Sequence, residues 1–251
     1  MGPDQISIAQ NAESATALAA RFVAAGRMAL ARGGRFAVAV SPAALTASVV
    51  AALAAAPVAG ERFWRATHLF LADTYFAEGV AARSAVERLP VAPGARHLEA
   101  AEHANPLTAA GAYEQELRGF FSLRAGALPR FDLVLLALGA DGRLGGFAPG
   151  GHALDEIERL ALADFDPASG RYFVTLTPPV IRNAASLLVV APAGSVDAIQ
   201  RRIAGADRVH ERDPVQLLRA ADGEVAVVAA PATGSPPARH GAGELATRPE
   251  R

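Results

Sequence analysis

The chain has 251 residues, 51% of them hydrophobic and 20% charged, with a formal net charge of −1; it can bury a sizeable core and carries no global basic field to gather nucleic acid. It has no cysteine and no lysine, which excludes disulfides, thiolate nucleophiles, cysteine metal sites and lysine Schiff bases. The first residues show no basic segment followed by an apolar one, and there is no run of about 18 apolar residues, so a soluble cytoplasmic protein without membrane contact is expected.

Residues 11–32 are alanine-rich, with Leu18, Phe22, Val23 and Leu30 near helical spacing and Gly33-Gly34 behind them, so a helix is expected there. Residues 36–40 read as a short strand. Ser41-Pro42 should open a second helix reaching about residue 56, with serine as N-cap and proline at the first position. THLFLA at 67–72 is a buried-strand candidate that runs directly into Asp73-Thr74-Tyr75. Residues 81–89 read as a short helix, 90–94 as a turn, and 106–123 as a long helix with Tyr113, Leu117 and Phe120 or Phe121 on one face. Strands are expected at 133–138, 172–176, 186–191 and 225–230, with a helix at 196–203. This alternation predicts an α/β fold, a mostly parallel sheet with helices on both faces, formed by residues 1–230 as one domain. Residues 231–251 lose apolar periodicity and gain Pro, Gly and charge, so they read as a disordered tail.

The stretch that organises the rest is 131–151, FDLVLLALGADGRLGGFAPGG. Its apolar first half has the Leu/Val content of a strand buried on both faces. Between Gly139 and Gly150 five residues are glycine and one is proline, so the strand must open into a loop that approaches something closely or takes positive φ. Open α/β sheets place ligands beyond the C-terminal ends of their strands, and this loop adds Asp141 and Arg143. Asp141 can equally serve to bond nearby backbone, Asp73 can equally cap the segment after its strand, and Arg143 can pair with Asp73 or Asp141 or receive an anion through its fork of donors. His152 could supply a base from just beyond the loop. His68 reads as a core residue, and His97, His103, His210 and His240 have no metal-ligand spacing. Arg201, Arg202 and Arg212 read as a solvated face, and Trp64 as core or a lid contact.

Three places resemble the 6-phosphogluconolactonase family and the fold it shares with glucosamine-6-phosphate deaminase and ribose-5-phosphate isomerase. GADGRLGGFAPG is similar to the family's GxDGHxASLFPG after an FDLVLLG-type strand. Asp73-Thr74-Tyr75 stands where the family has Asp-Glu-Arg, with Ser84-Ala85 at its Ser-Asn. VTLTPPVIRNAASLLVVAPAG resembles its threonine-rich strand, asparagine turn and apolar strand, and Tyr113-Glu114 also matches. The likeness runs over about residues 12–230. The departures fall on the chemistry. The family histidine understood to help activate water is Arg143, which stays protonated and cannot be a base at neutral pH. The Gly-Gly-Ser-Thr-Pro loop that holds sugar phosphate by backbone N–H groups is SPAAL at 41–45, the family arginine is Tyr75, and a lysine common near Val196 is absent.

The resemblance implies hydrolysis of a sugar-acid lactone, a reaction of the pentose-phosphate type. It implies Asp73, Asp141 and Arg143 as catalytic positions and Ser41, Tyr75, Gly139, Gly142, His152, Arg182 and Asn183 as substrate-contacting ones, with Asn183 and the aspartates facing one cleft. No cofactor and no metal are expected, the partner is a small anionic sugar-acid ligand, and the assembly is a monomer or small homo-oligomer. Two alternatives are a divergent enzyme for an unphosphorylated or carboxylated small molecule, and a non-catalytic homologue acting as a binding or regulatory partner.

Overall fold

The computed structural model describes residues 6–55, 60–76, 86–98, 103, 105–204 and 212–230. The expected tail at 231–251, most of the helix at 81–89, Ser84-Ala85, His210 and His240 lie outside the described residues. The elements are strand β1 (Ile6–Ala12), helix α1 (Ala15–Gly33), β2 (Phe36–Val40), α2 (Ala44–Ala55), α3 (Gly60–Arg65), β3 (Thr67–Leu71), β4 (Asp73–Tyr75), β5 (Arg96–His97), α4 (Pro106–Phe120), β6 (Leu133–Ala137), β7 (Ala161–Asp166), β8 (Arg171–Leu176), α5 (Pro178–Arg182), β9 (Ser186–Pro192), α6 (Val196–Ala204), α7 (Gln216–Arg219) and β10 (Glu224–Ala230).

Seven strands form a sheet in the order β1-β10-β9-β6-β2-β3-β5, and every pairing in it is parallel. β2 (FAVAV) and β6 (LVLLA) are buried at every residue, as strands covered on both faces must be. From β2 the chain proceeds outward to β3 and β5, then returns to lay β6 on the other side of β2. The order therefore reverses between β2 and β6, and the crevice at their C-terminal ends is where such sheets hold ligands.

The helices follow from local chemistry. Ser14 caps α1 by accepting from Ala17 N at 3.2 Å, and Gly34, at φ +73°, closes it with a bond from its N–H to Leu30 O. Leu18, Phe22 and Val23 on its inner face are at most 2% exposed. Asn105 caps α4 by accepting from Leu107 N and Thr108 N, and Pro106 takes its first turn. Tyr113 and Leu117 of α4 are fully buried, and the Tyr113 hydroxyl donates to Leu71 O at 2.6 Å. This ties α4 to the end of β3.

Four expectations need correction. Residues 11–12 belong to β1, an edge strand, and the first helix starts at Ala15. Ser41 is not the N-cap of α2, because its N–H bonds Leu135 O and so prolongs the sheet ladder; the helix starts at Ala44 with Thr46 bonding Ser41 O and Ala43 O. Ala72 is a bend, and β4 is a separate strand. Residues 171–176 are not in the main sheet at all: β8 pairs antiparallel with β7 and β4 in a second sheet of order β4-β8-β7.

Candidate active site

β2, β3 and β6 deliver Ser41, Asp73 and the loop at 139–151 to the crevice. Asp73 is the first residue of β4 and opposes Thr175 in the antiparallel ladder. It is 6% exposed, its Oδ1 has no hydrogen-bond partner, and the Ser41 hydroxyl beside it is equally unpartnered. Burial pushes its carboxyl up from 3.8 to about 6, and the Ser41 hydroxyl acts in the opposite direction. The two oxygens are close enough to feel each other but are not aligned as a bond, so we read burial as the governing influence.

The glycine loop folds back on itself. Gly139 N bonds Arg143 O, Gly142 N bonds Gly139 O, and Gly145 N bonds Ala137 O. Gly142, at φ +84°, is pressed against the Arg202 guanidinium: a Cβ there would stand 3.1 Å from Arg202 Nη1. Only glycine tolerates both that φ and that approach. Arg202 is held by Asp213 through Nε at 3.0 Å and through Nη2, and Arg212 pairs with Asp155 at 2.9 Å. Arg202 therefore braces the loop from behind, whereas Arg201 and Arg212 are exposed, as the solvated face expected of them requires.

Asp141 is 62% exposed in its side chain and its Oδ1 accepts from Arg143 N at 3.1 Å. That is the turn-stabilising role. Arg143 is 19% exposed, and its guanidinium is committed on several sides: Nη2 to Asp166, Nη1 to the Tyr75 hydroxyl at 3.1 Å, and Nε to Asp141 Oδ2 at 3.4 Å. Asp166, at the end of β7, is 4% exposed. Burial pushes it up, but bonds from Ser169, Arg143 and Ala168 N outweigh that and hold it below the ordinary carboxylate value.

Tyr75 is where these groups meet. Burial raises its pKa, and it also senses Arg143, Asp166 and Asp73. Its ring lies 5.4 Å from that of Phe173, and Arg171 stands over it at 5.4 Å. Asp73, Arg143 and, through Arg143, Asp141 thus do converge at one edge of the sheet. A cleft of about 260 Å³ is lined among others by Arg143, His152, Asp164, Asp166 and Phe173, while Asp73, Tyr75 and Asp141 do not line it. His152 is exposed at its rim.

Three expected contacts are not made. Ser41 is fully buried and presents nothing to a ligand. Asn183 donates to Pro129 O at 2.9 Å, and Arg182 O accepts from Asp222 N. Both lie where β6, β9 and β10 begin, so the turn carrying them is at the opposite end of the sheet from the crevice. Sequence reading also missed Asp166 and Gly145. A Cβ on Gly145 would stand 3.3 Å from Asp73 Oδ1. PASG at 167–170 between two β-forming runs was the available signal for the hairpin that carries Asp166.

Among the described residues no group of three or more His, Asp or Glu side chains is arranged to hold a metal ion, and no helix is long and apolar enough to cross a membrane.

The family model described as glucosamine-6-phosphate isomerases/6-phosphogluconolactonase matches residues 9–227. A 6-phosphogluconolactonase of Nostoc is 29% identical over 170 residues, 64% of this chain and 68% of that protein. One of Synechocystis is 37% identical over 92 residues, 37% of this chain, and the match spans only 38% of that protein's length. Among solved structures, 6-phosphogluconolactonase from Trypanosoma brucei superposes with a TM-score of 0.74 at 21% identity, covering 89% of this chain and 95% of that one. A monomeric glucosamine-6-phosphate deaminase superposes with a TM-score of 0.65 at 11% identity, covering 90% and 97%. These likenesses establish the fold.

Proposed function

The chain belongs to the glucosamine-6-phosphate isomerase/6-phosphogluconolactonase family, and from that premise we propose that it is a lactone hydrolase performing the 6-phosphogluconolactonase type of reaction, with Asp73 as its general base. The observation that carries this reading is the burial of Asp73 at the reversal point of the sheet, which brings its carboxyl to about 6. A base is most effective when its pKa lies near the working pH. Arg143, standing at the family's histidine, is permanently protonated and cannot take that role.

In this mechanism Asp73 accepts a proton from water as the water oxygen bonds to the lactone carbonyl carbon. The Tyr75 hydroxyl accepts from Arg143 Nη1 at 3.1 Å, which leaves its own proton to donate to the developing oxyanion. A donor backed by a cation is the stronger for it. Collapse of the tetrahedral intermediate breaks the ring C–O bond, and protonated Asp73 returns its proton to the departing alkoxide. The product is the open sugar acid. Asp141 holds the loop turn, and Asp166 holds Arg143.

The test is ring opening of 6-phosphogluconolactone by the full chain, measured against the spontaneous rate. Catalysis that is lost on Asp73→Asn supports the reading, and a rate equal to buffer alone removes it. A second reading, a non-catalytic binding homologue, is favoured by one observation: the base position holds an arginine whose donors are already engaged within the protein. Turnover excludes that reading.

A further inference from the structure

Two buried oxygens at the crevice have no hydrogen-bond partner among the described residues, and they follow adjacent strands: Ser41 Oγ just past β2 and Asp73 Oδ1 just past β3. We propose that Ser41 positions the base, donating its hydroxyl to Asp73 Oδ1 whenever that carboxyl is ionised and leaving Asp73 Oδ2 to take the proton from water. This rests on the lactonase reading and adds to it the group that aims the base.

The backbone holds both residues in place. Ser41 N bonds Leu135 O at 2.9 Å, Ser41 O accepts from Thr46 Oγ1, and Ala72 N bonds Val40 O at 3.0 Å, which carries the β2–β3 ladder up to the two side chains. Leu176 N bonds Ala72 O, and Asp73 opposes Thr175. The other buried hydroxyls close by are committed: Thr175 Oγ1 to Ala72 O and Leu176 O, and Tyr113 to Leu71 O at 2.6 Å. Thr74, next in β4, faces the other side of its strand. Ser41 is therefore the buried hydroxyl with a proton still to give, and it acts on the Asp73 carboxyl in the sense of a donor.

An enclosed hydroxyl and an enclosed carboxylate oxygen each lose their bonds to water. One bond between them satisfies both, and it is strongest when the acceptor is charged. It also decides which oxygen works. Oδ1 lies under Gly145, where a Cβ would stand 3.3 Å from it, and with the Ser41 proton against it Oδ1 is closed to a second. The proton drawn from water settles on Oδ2 and returns from there to the departing alkoxide.

Among the described residues the titratable and charged groups facing Asp73 are Tyr75 on its own strand, with Arg143 of the glycine loop and Asp166 of β7 around that tyrosine, and Tyr113 from α4. Burial pushes both tyrosines up from 10, and Asp166 is held below the ordinary carboxylate value. Arg143 stays protonated. None of these changes charge between pH 5 and 8, so an inflection in that window that moves with Ser41 belongs to Asp73.

The experiment follows the Asp73 carboxyl by ¹³C NMR, its signal assigned by its loss in Asp73→Asn, and kcat/KM for 6-phosphoglucono-1,5-lactone corrected for spontaneous opening. Both are measured from pH 5 to 8 on the full chain and on Ser41→Ala. The variant should move the carboxyl midpoint and the kinetic inflection together, upward from about 6 by about one pH unit. At pH 6 its kcat/KM should then be about fivefold lower, whereas in the Asp73→Asn background Ser41→Ala should change kcat/KM by less than about twofold. Urea unfolding should find Ser41→Ala as stable as the wild type at pH 4 and less stable at pH 8, because the hydroxyl favours the ionised carboxyl. A serine that merely fills space leaves midpoint and inflection where they were, and that result overturns the inference while the lactonase reading stands. If the lactone opens no faster than in buffer the lactonase reading fails, and the NMR midpoint still decides whether Ser41 holds the carboxylate.

Discussion

Gly145 lies directly over Asp73: at φ +56°, a Cβ at 145 would stand 3.3 Å from Asp73 Oδ1 and 3.3 Å from Leu136 Cδ2. The loop after β6 thus roofs the carboxyl that opens β4, and a side chain at 145 would crowd that roof. Gly145→Ala combines a left-handed backbone strain of about 1–2 kcal/mol with further desolvation of Asp73. We expect a melting temperature lower by several degrees and a proton affinity of Asp73 higher still. An unchanged melting curve would contradict this close approach.

Asp73 should leave its mark on stability as well as on rate. Its folded pKa of about 6 lies above the ordinary 3.8, so the folded state holds the proton more tightly than the unfolded chain. The associated stabilisation is complete below the unfolded value and is lost as pH rises through about 6, amounting to about 3 kcal/mol at most. Asp73→Asn, neutral throughout, removes that dependence. Urea unfolding at pH 8 should find the variant more stable than the wild type, with the difference shrinking toward pH 4.

The parts of this arrangement legible in the amino-acid sequence are those written in contiguous residues. β2, β3, β6, β9 and β10 are short apolar runs between helical or turn signals, and the glycine loop announces itself by composition. β1 was hidden because ISIAQNA is an edge strand whose only large apolar residues are Ile6 and Ile8. β7 was hidden because ALADFD has three apolar residues and then two aspartates either side of Phe165, with no clean period of two to mark a strand. Arg143 and Asp166 are separated by the loop and a hairpin, so their pairing follows from tertiary register that no local pattern encodes. Asn183 misled for the complementary reason: its place in a motif says nothing about which end of the strand the turn occupies.

The ion pair of Arg143 with Asp166 should be asymmetric to remove. Arg143→Ala leaves a carboxylate that is 4% exposed with its cation gone and only the bonds from Ser169 Oγ and Ala168 N, whereas Asp166→Ala frees a guanidinium that retains 19% exposure, the Tyr75 hydroxyl and Asp141. Breaking a buried pair typically costs about 3–5 kcal/mol. We expect the arginine variant near that range and the aspartate variant clearly below it in denaturant titrations. The double variant should fall short of the sum of the two.

Far from the crevice, His68, His97 and Glu116 form a hydrogen-bonded chain: His68 Nδ1 to His97 Nε2 at 3.1 Å, and His97 Nδ1 to Glu116 Oε1 at 2.8 Å. It ties β3, β5 and α4 together, with Phe70 stacked on His97, Phe120 tilted against both imidazoles and Arg35 over Phe120. Burial, then His97 and Arg35, hold the His68 pKa below 6.5. The folded state therefore binds its proton less readily than the unfolded chain, and this contribution weakens as pH falls below about 6.5. His68→Gln should flatten the acid side of the stability profile between pH 6.5 and 5, opposite in sign to the effect of Asp73→Asn. An unaltered acid limb would show that the chain carries no such linkage.

The central claim is that Asp73 is the base, and the pH dependence of lactone opening tests it most directly. After subtraction of spontaneous hydrolysis, kcat/KM of the wild type should rise through about pH 6 to a plateau, and Asp73→Asn should fall by about 10²–10⁴ with that rise abolished. Arg143→His, measured alongside, should leave the inflection in place. A wild-type rate no greater than buffer, or an inflection that survives in Asp73→Asn, would contradict the assignment.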